Sequence, residues 1–194
     1  ARLGVLIKGG VHLENLGRAR SLAFDKTGTL TLGQLRVDQV HTLDPDWDHD
    51  RALAHAAALE QKSQHPLALA IAEEALARDL ALAGARDIRQ TSGLGIAGRI
   101  EDQPFAVLRP DPDHVAGLDH EDARQTLHDW RDRGLTAVCL ARDDQALALI
   151  ALADQPRPTA RPAVLRLRQL GFDRVAMLTG YHPQAAARVP HAVG

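Results

Sequence analysis

Little in this sequence marks a specialised surface or compartment. Its one cysteine, Cys139, sits in the apolar run 136–140. It therefore has neither an internal disulfide partner nor a CxxC neighbour for metal, and a reducing compartment is its natural setting. Aromatic residues make up 3% of the chain, too few for the stacking platforms that bind single-stranded RNA or for a carbohydrate-binding face. Neither charge sign dominates: 23 lysines and arginines stand against 25 aspartates and glutamates. Bulk charge thus gives no hold on nucleic acid or on an anionic membrane surface, and any nucleotide must be held by a local site. No apolar run reaches the roughly 18 residues of a membrane helix, and the opening ten residues lack the apolar core of a signal peptide. A Walker A string is also missing, which excludes phosphate cradling by a P-loop. What is present is 45% hydrophobic content over 194 residues, ample for a buried core in one large domain or two small ones.

The texture of the chain changes twice. Residues 21–24 form a short apolar run that ends at Asp25 and is followed by polar, glycine-containing sequence, which predicts a strand delivering an aspartate onto a loop. Residues 35–43 alternate like a half-buried strand; residues 48–62 are alanine-rich and helical; a second helix begins near Pro66 with Leu67, Ile71 and Ala75 on one face. Short β-like runs between Ala85 and Leu108, punctuated by Ser92-Gly93, Gly95, Gly98 and Asp102-Gln103-Pro104, predict an antiparallel meander. A helix over 120–133 and a hairpin of 136–141 with 146–153 follow. A helix to Leu170 and an apolar strand at 174–178 then restore the grammar of a parallel α/β sheet. The ends read as α/β and the middle as helices on an antiparallel sheet, so the economical architecture is an insertion: one domain formed by residues 1–32 and 154–194, a second by 33–153.

The chemistry centres on Asp25-Lys26-Thr27-Gly28-Thr29-Leu30-Thr31. An aspartate at the C-terminal edge of a strand is where an α/β sheet presents reactive groups, and a carboxylate can act as a covalent nucleophile toward phosphorus. Its charge resists an anionic phosphate, so a cation such as Mg2+ and nearby positive groups are required; Lys26 and the amides around Gly28 are at hand. The bland reading of the same residues is a tight Asp-Gly turn after a strand.

The heptapeptide resembles the phosphorylation signature of P-type ATPases, within the haloacid dehalogenase-like superfamily. Other segments match in order: GVLIKGG at 4–10, Ser63-Gln64-His65-Pro66-Leu67, GLGIAG at 93–98, Asp154-Gln155-Pro156-Arg157-Pro158 and Met177-Leu178-Thr179-Gly180. Together they resemble the heavy-metal branch. The resemblance implies an incomplete, Rossmann-type α/β phosphorylation domain carrying an inserted α+β nucleotide-binding domain on an antiparallel sheet. It implies phosphorylation of Asp25, with Lys26, Thr27, Thr179 and Gly180 around the phosphoryl group and Asp25 and Thr27 as Mg2+ ligands. Related phosphatases carry an aspartate at the position of Thr27 as general acid/base; threonine there implies a longer-lived aspartyl phosphate. In the inserted domain the resemblance places adenine against His65, with Glu60 near it and Gly93 and Gly95 beside the nucleotide.

Each smaller motif also has a plainer reading. His65 also reads as a helix N-terminal residue beside proline, Glu60 as a solvated helix carboxylate, and the glycines as a β-turn without a ligand. GLGIAG formally fits the dinucleotide pattern, but the strand-and-turn sequence that follows it, where a helix should open, excludes that use. Asp44, Asp46, Asp48, His49 and Asp50 read as a turn and a helix N-terminus rather than a metal site, and His114, His120 and His128 as surface residues.

The sequence departs from the family where Gly180 is followed by Tyr181-His182 in place of an aspartate, and where Arg109-Pro110 replaces a Gly-Asn pair. It also stops at Gly194, before the Gly-Asp-Gly-x-Asn-Asp segment whose aspartates hold Mg2+ in relatives. The expectation is a chain that binds ATP with little turnover. Within a whole pump on the cytoplasmic face of the cell membrane, hinging at Leu32 and Asp154, it would couple ATP hydrolysis to heavy-metal transport, zinc, cadmium or lead before copper. Its partners would be ATP and the transmembrane and actuator domains of the same polypeptide, with the metal ion met only through membrane helices and no nucleic acid. The rival readings are a free-standing phosphatase of the superfamily and a non-catalytic nucleotide-binding module.

Overall fold

A computed structural model describes residues 6–178. It divides into two compact units, one made of Ala1–Gly33 with Pro156–Gly194 and the other of Gln34–Gln155. No helix among the described residues is long and apolar enough to cross a membrane.

In the discontinuous unit, strand β1 (Ser21–Asp25) pairs in parallel with β8 (Arg174–Leu178), Asp25 lying opposite Leu178. Leu22 and Phe24 are half-buried while Ser21, Ala23 and Asp25 are exposed, the period of two expected of a strand with one covered face. Helix α5 (Ala160–Gln169) precedes β8 and buries Ala160 and Val164, with Arg166 and Arg168 in its last turn complementing the helix dipole. Helix α1 (Gly10–Arg18) was not legible in the sequence. It has no side-chain cap at Gly9 and buries no residue, leaving Val11, Leu13 and Leu16 exposed.

The inserted unit is a six-stranded sheet in the order β2-β7-β6-β5-β4-β3, built from β2 (Thr31–Thr42), β3 (Ala85–Thr91), β4 (Gly95–Ile100), β5 (Gln103–Leu108), β6 (Thr136–Arg142) and β7 (Gln145–Pro156). Strands β3 to β7 are antiparallel to their neighbours in chain order. The tight connections use acidic residues at positive φ: Glu101 and Asp102 between β4 and β5, Asp143 and Asp144 between β6 and β7. Two successive left-handed residues give the turn that matches strand twist.

Helices α2 (His49–Glu60) and α3 (Pro66–Ala77) cover one face of this sheet, packing Leu53, Ala56 and Ile71 with Ile96, Ile100, Phe105 and Val107. The small side chains of α2 allow this close approach. Helix α4 (Glu121–Asp132) covers the other face with Ala123 and Trp130 against Cys139, Leu149 and Ala151. Strand β7, covered on both faces, is buried from Ala146 to Leu152 and loses the alternation of a one-sided strand. Burial pushes the Cys139 thiol up to about 12, so it serves as core. The acidic stretch before α2 is occupied locally. Asp44 accepts from the Asp46 amide at 2.9 Å, Asp48 caps α2 by accepting from the Arg51 amide at 2.7 Å, and Asp50 pairs with Arg78 at 3.0 Å.

Candidate functional site

Asp25 ends β1 with its side chain exposed, and the chain then turns back through Lys26–Leu30, with Thr27 extended (φ -74, ψ 123) and Gly28 left-handed (φ 75, ψ -10). Gly28 makes that turn possible at φ 75, a conformation in which a Cβ is strained. Thr31, buried, closes the loop from one side: its hydroxyl accepts from the Gly28 amide at 3.1 Å and donates to the Lys26 carbonyl at 3.0 Å. Arg157 closes it from another, donating from Nε to the Thr29 carbonyl at 3.0 Å and from Nη2 to the Gly28 carbonyl at 2.9 Å. The loop after Asp25 is thus held through its backbone groups by the Thr31 and Arg157 side chains. Thr179 and Gly180, with Tyr181 and His182, lie outside the described residues.

The other predicted residues gather in the inserted unit. His65 is the N-cap of α3, its Nδ1 accepting from the Leu67 amide at 3.3 Å. That bond places the proton of the neutral ring on Nε2, so an N–H donor is left on the exposed side. Its own amide donates to Ser63 Oγ at 3.3 Å. Glu60, the last residue of α2, is 8% exposed. It is therefore not the solvated carboxylate that its place on a polar-looking helix end allowed. Burial holds its carboxyl above the usual glutamate range, opposed by a hydrogen bond from Ser63 and by the charge of His65.

The glycine turn lies at the same end of the sheet. His55 feels the charge of Glu101, and Leu59 Cδ2 would lie 3.1 Å from a Cβ on Gly98. Advancing along α2 therefore means retreating along β4, which brings the α2–α3 connection toward the Thr91–Gly95 turn. Within that turn the two glycines differ. Gly93, at φ 82, has nothing within 4 Å of the position a Cβ would take and faces open space. At Gly95, φ 145, a Cβ would collide with the Val107 carbonyl oxygen and stand 2.9 Å from Leu108 Cα. Its glycine is required by the neighbouring strand. The amide of Arg109 donates to the Leu94 carbonyl at 3.0 Å, so the Arg109-Pro110 departure also borders this turn.

The haloacid dehalogenase-like hydrolase family matches residues 19–194. The chain belongs to that family. Over 195 residues this haloacid dehalogenase-like chain is 40% identical to a zinc/cadmium/lead-transporting P-type ATPase of Escherichia coli (strain K12), matching 100% of the chain and 26% of that protein. It is 35% identical over 199 residues to a manganese-exporting P-type ATPase of Mycobacterium tuberculosis (strain ATCC 25618 / H37Rv), covering 100% of the chain and 27% of the relative. The chain therefore spans about a quarter of the length of these relatives. A zinc-transporting PIB-type ATPase solved in the E2·Pi state superimposes with a TM-score of 0.77 at 39% identity, over 96% of this chain and 30% of that one.

Two predictions arise from this geometry. Gly95→Val is expected to destabilise the fold by about 3 kcal/mol or more, because strand backbone cannot yield to a side chain. Thermal denaturation should show a Tm lowered by about 10 °C. Reduced ligand binding in that variant would accordingly report the fold rather than a contact. Glu60→Gln is expected to raise Tm at pH 7. With the folded-state carboxyl held above the ordinary value of 4.5, stability is complete below that pH and is lost as pH rises through the raised value. A permanently neutral glutamine avoids that loss, so the advantage should shrink to nothing near pH 4; an advantage independent of pH would contradict this.

Proposed function

We propose that this chain is the ATP-binding and phosphorylation region of a P-type ATPase that moves a heavy-metal cation across a membrane through an aspartyl phosphate at Asp25. The observation that carries this reading is an exposed aspartate at the end of β1, followed by a loop pinned by Thr31 and Arg157, in a chain that aligns throughout with metal-transporting ATPases. The unit 1–33 with 156–194 supplies the phosphorylation domain, and 34–155 the nucleotide-binding domain. Identity of 40% to a zinc/cadmium/lead transporter against 35% to a manganese exporter favours the former group of cations as cargo.

In this reading ATP is held by the inserted unit. The His65 ring lies against adenine, Glu60 accepts from or orients the exocyclic amine region, and the open backbone at Gly93 admits the nucleotide closely. One carboxylate oxygen of Asp25 attacks the γ-phosphorus; the bond to the bridging oxygen breaks, and ADP leaves with the electron pair. Lys26 lowers the repulsion between carboxylate and phosphate. Thr27, which has no carboxylate to activate water, leaves the acyl phosphate intact for longer than an aspartate would.

Mg2+ takes hard oxygen donors, commonly one or two carboxylates together with substrate phosphates and water. Asp25 and Thr27 are oxygen donors of that kind at the reacting end of β1, and they would hold it. Among the described residues no cluster of three or more histidine, cysteine or acidic side chains competes for it. When bound, Mg2+ would neutralise charge between acceptor and phosphate.

The test is ATPase activity of the complete membrane protein across a panel of metals. Stimulation by Zn2+, Cd2+ or Pb2+, with little by Cu+, is the expected result. Phosphatase activity toward small phosphomonoesters without metal dependence would overturn the reading.

A further inference from the structure

Arg157 lies outside the acceptor motif by 128 and 129 residues from the two carbonyls its side chain grips, yet three consecutive carbonyls of the acceptor loop turn to it. Nε donates to Thr29 and Nη2 to Gly28, at 3.0 and 2.9 Å, while its backbone amide donates to the Leu30 carbonyl at 2.9 Å. A planar guanidinium with fixed donor directions orients the peptides it binds, which a single ammonium cannot do. Peptide bonds among the described residues are trans. In a trans peptide the carbonyl and the following N–H point in opposite directions, so gripping the Gly28 and Thr29 carbonyls turns the Thr29 and Leu30 amides away from Arg157. A cation at the carbonyl ends also polarises those peptides, making their N–H ends better donors to an anion. The buried Thr31 hydroxyl holds the start of the same loop through Gly28 and Lys26, so the loop orientation is set from both ends.

We propose that Arg157 is a positioning residue for phosphoryl transfer: it aims loop amides at the phosphoryl group on its way to Asp25 without itself touching nucleotide. The inference rests on Asp25 being the acceptor. It assigns a task in the reaction to a residue that the sequence pattern placed only in a connecting segment.

The test uses the complete protein with Arg157→Met, Arg157→Lys and, as control, Asp25→Asn. Four quantities are read per folded molecule: the rate of phosphoenzyme formation at saturating ATP, its ATP concentration dependence, inhibition by orthovanadate as a phosphate mimic, and Tm. Arg157→Met should slow phosphoenzyme formation about 10- to 100-fold, the scale on which small misplacements act. Vanadate should bind about tenfold more weakly, and the ATP dependence should stay unchanged. Arg157→Lys should recover part of both losses, since one ammonium can hold one carbonyl. Unchanged vanadate inhibition and phosphorylation rate in Arg157→Met overturn the inference, as does a loss confined to Tm. If Arg157→Met does not fold, the same readouts on Arg157→Lys decide. Persisting phosphorylation in Asp25→Asn would sink the underlying reading instead, and does so separately.

Discussion

Asp25→Asn should lower phosphoenzyme formation about a thousandfold or more while leaving nucleotide affinity within about twofold. Asparagine matches aspartate in shape but removes the nucleophilic charge. The loop would survive the change, because its anchors are the backbone of Lys26, Gly28, Thr29 and Leu30, gripped by Thr31 and Arg157. The Asp25 side chain is exposed, so stability should change by no more than about 0.5 kcal/mol. In the proposed reading adenine lies against His65 and the nucleotide passes Gly93, both in the inserted unit, which is why binding is expected to persist. The measurement is acid-quenched incorporation from γ-labelled ATP, run beside calorimetric titration with a non-hydrolysable analogue. Loss of nucleotide binding in parallel with phosphorylation would mean that Asp25 contributes to holding ATP and that the two tasks are not separable as described.

His65→Asn is the second large effect. An alanine here would confuse two roles, since Nδ1 of His65 caps α3 at the Leu67 amide and losing a cap costs about 1 kcal/mol. Asparagine is among the best N-caps and keeps that bond, but offers no ring for a base to lie on. ATP affinity is therefore expected to fall about tenfold, in line with the loss of one stacked aromatic platform, with Tm nearly unchanged. Equal affinities for the two proteins would remove adenine from His65 and leave the helix-cap role as its whole explanation.

Much of this was legible because local chemistry and tertiary role coincide. An apolar run ending in Asp-Lys-Thr-Gly predicts a strand, a turn and a presented carboxylate, and β1 with its following turn is that arrangement. Asp48 and Pro66 marked the starts of α2 and α3 through ordinary capping chemistry. Where the meander turns, the sequence pointed to Asp102-Gln103-Pro104; the structure turns at Glu101 and Asp102, and Gln103 and Pro104 already belong to β5.

What stayed hidden depends on packing across long stretches of chain. Glu60 looks like any acid on a helix end, and only the closing of α2 against its neighbours makes it a buried carboxyl with a raised protonation range. Gly95 looks like a ligand-facing glycine, whereas its crowding comes from the Val107 carbonyl of the adjacent strand. Helix α1 has no side-chain cap, and the glycines at 9, 10 and 17 disguise its short apolar pattern. Arg157 is flanked by prolines that signal a connection, and nothing local points to carbonyls 128 and 129 residues away.

The most direct test of the central claim is to locate the covalent phosphate. The complete protein, incubated with ATP, Mg2+ and Zn2+ as the proposed cargo, is quenched in acid, reduced with borohydride and digested for mass spectrometry. Reduction converts an aspartyl phosphate to homoserine. Homoserine at position 25, dependent on both ATP and metal, is the predicted result. Aspartate intact at position 25 together with stable phosphate on another residue would contradict the account.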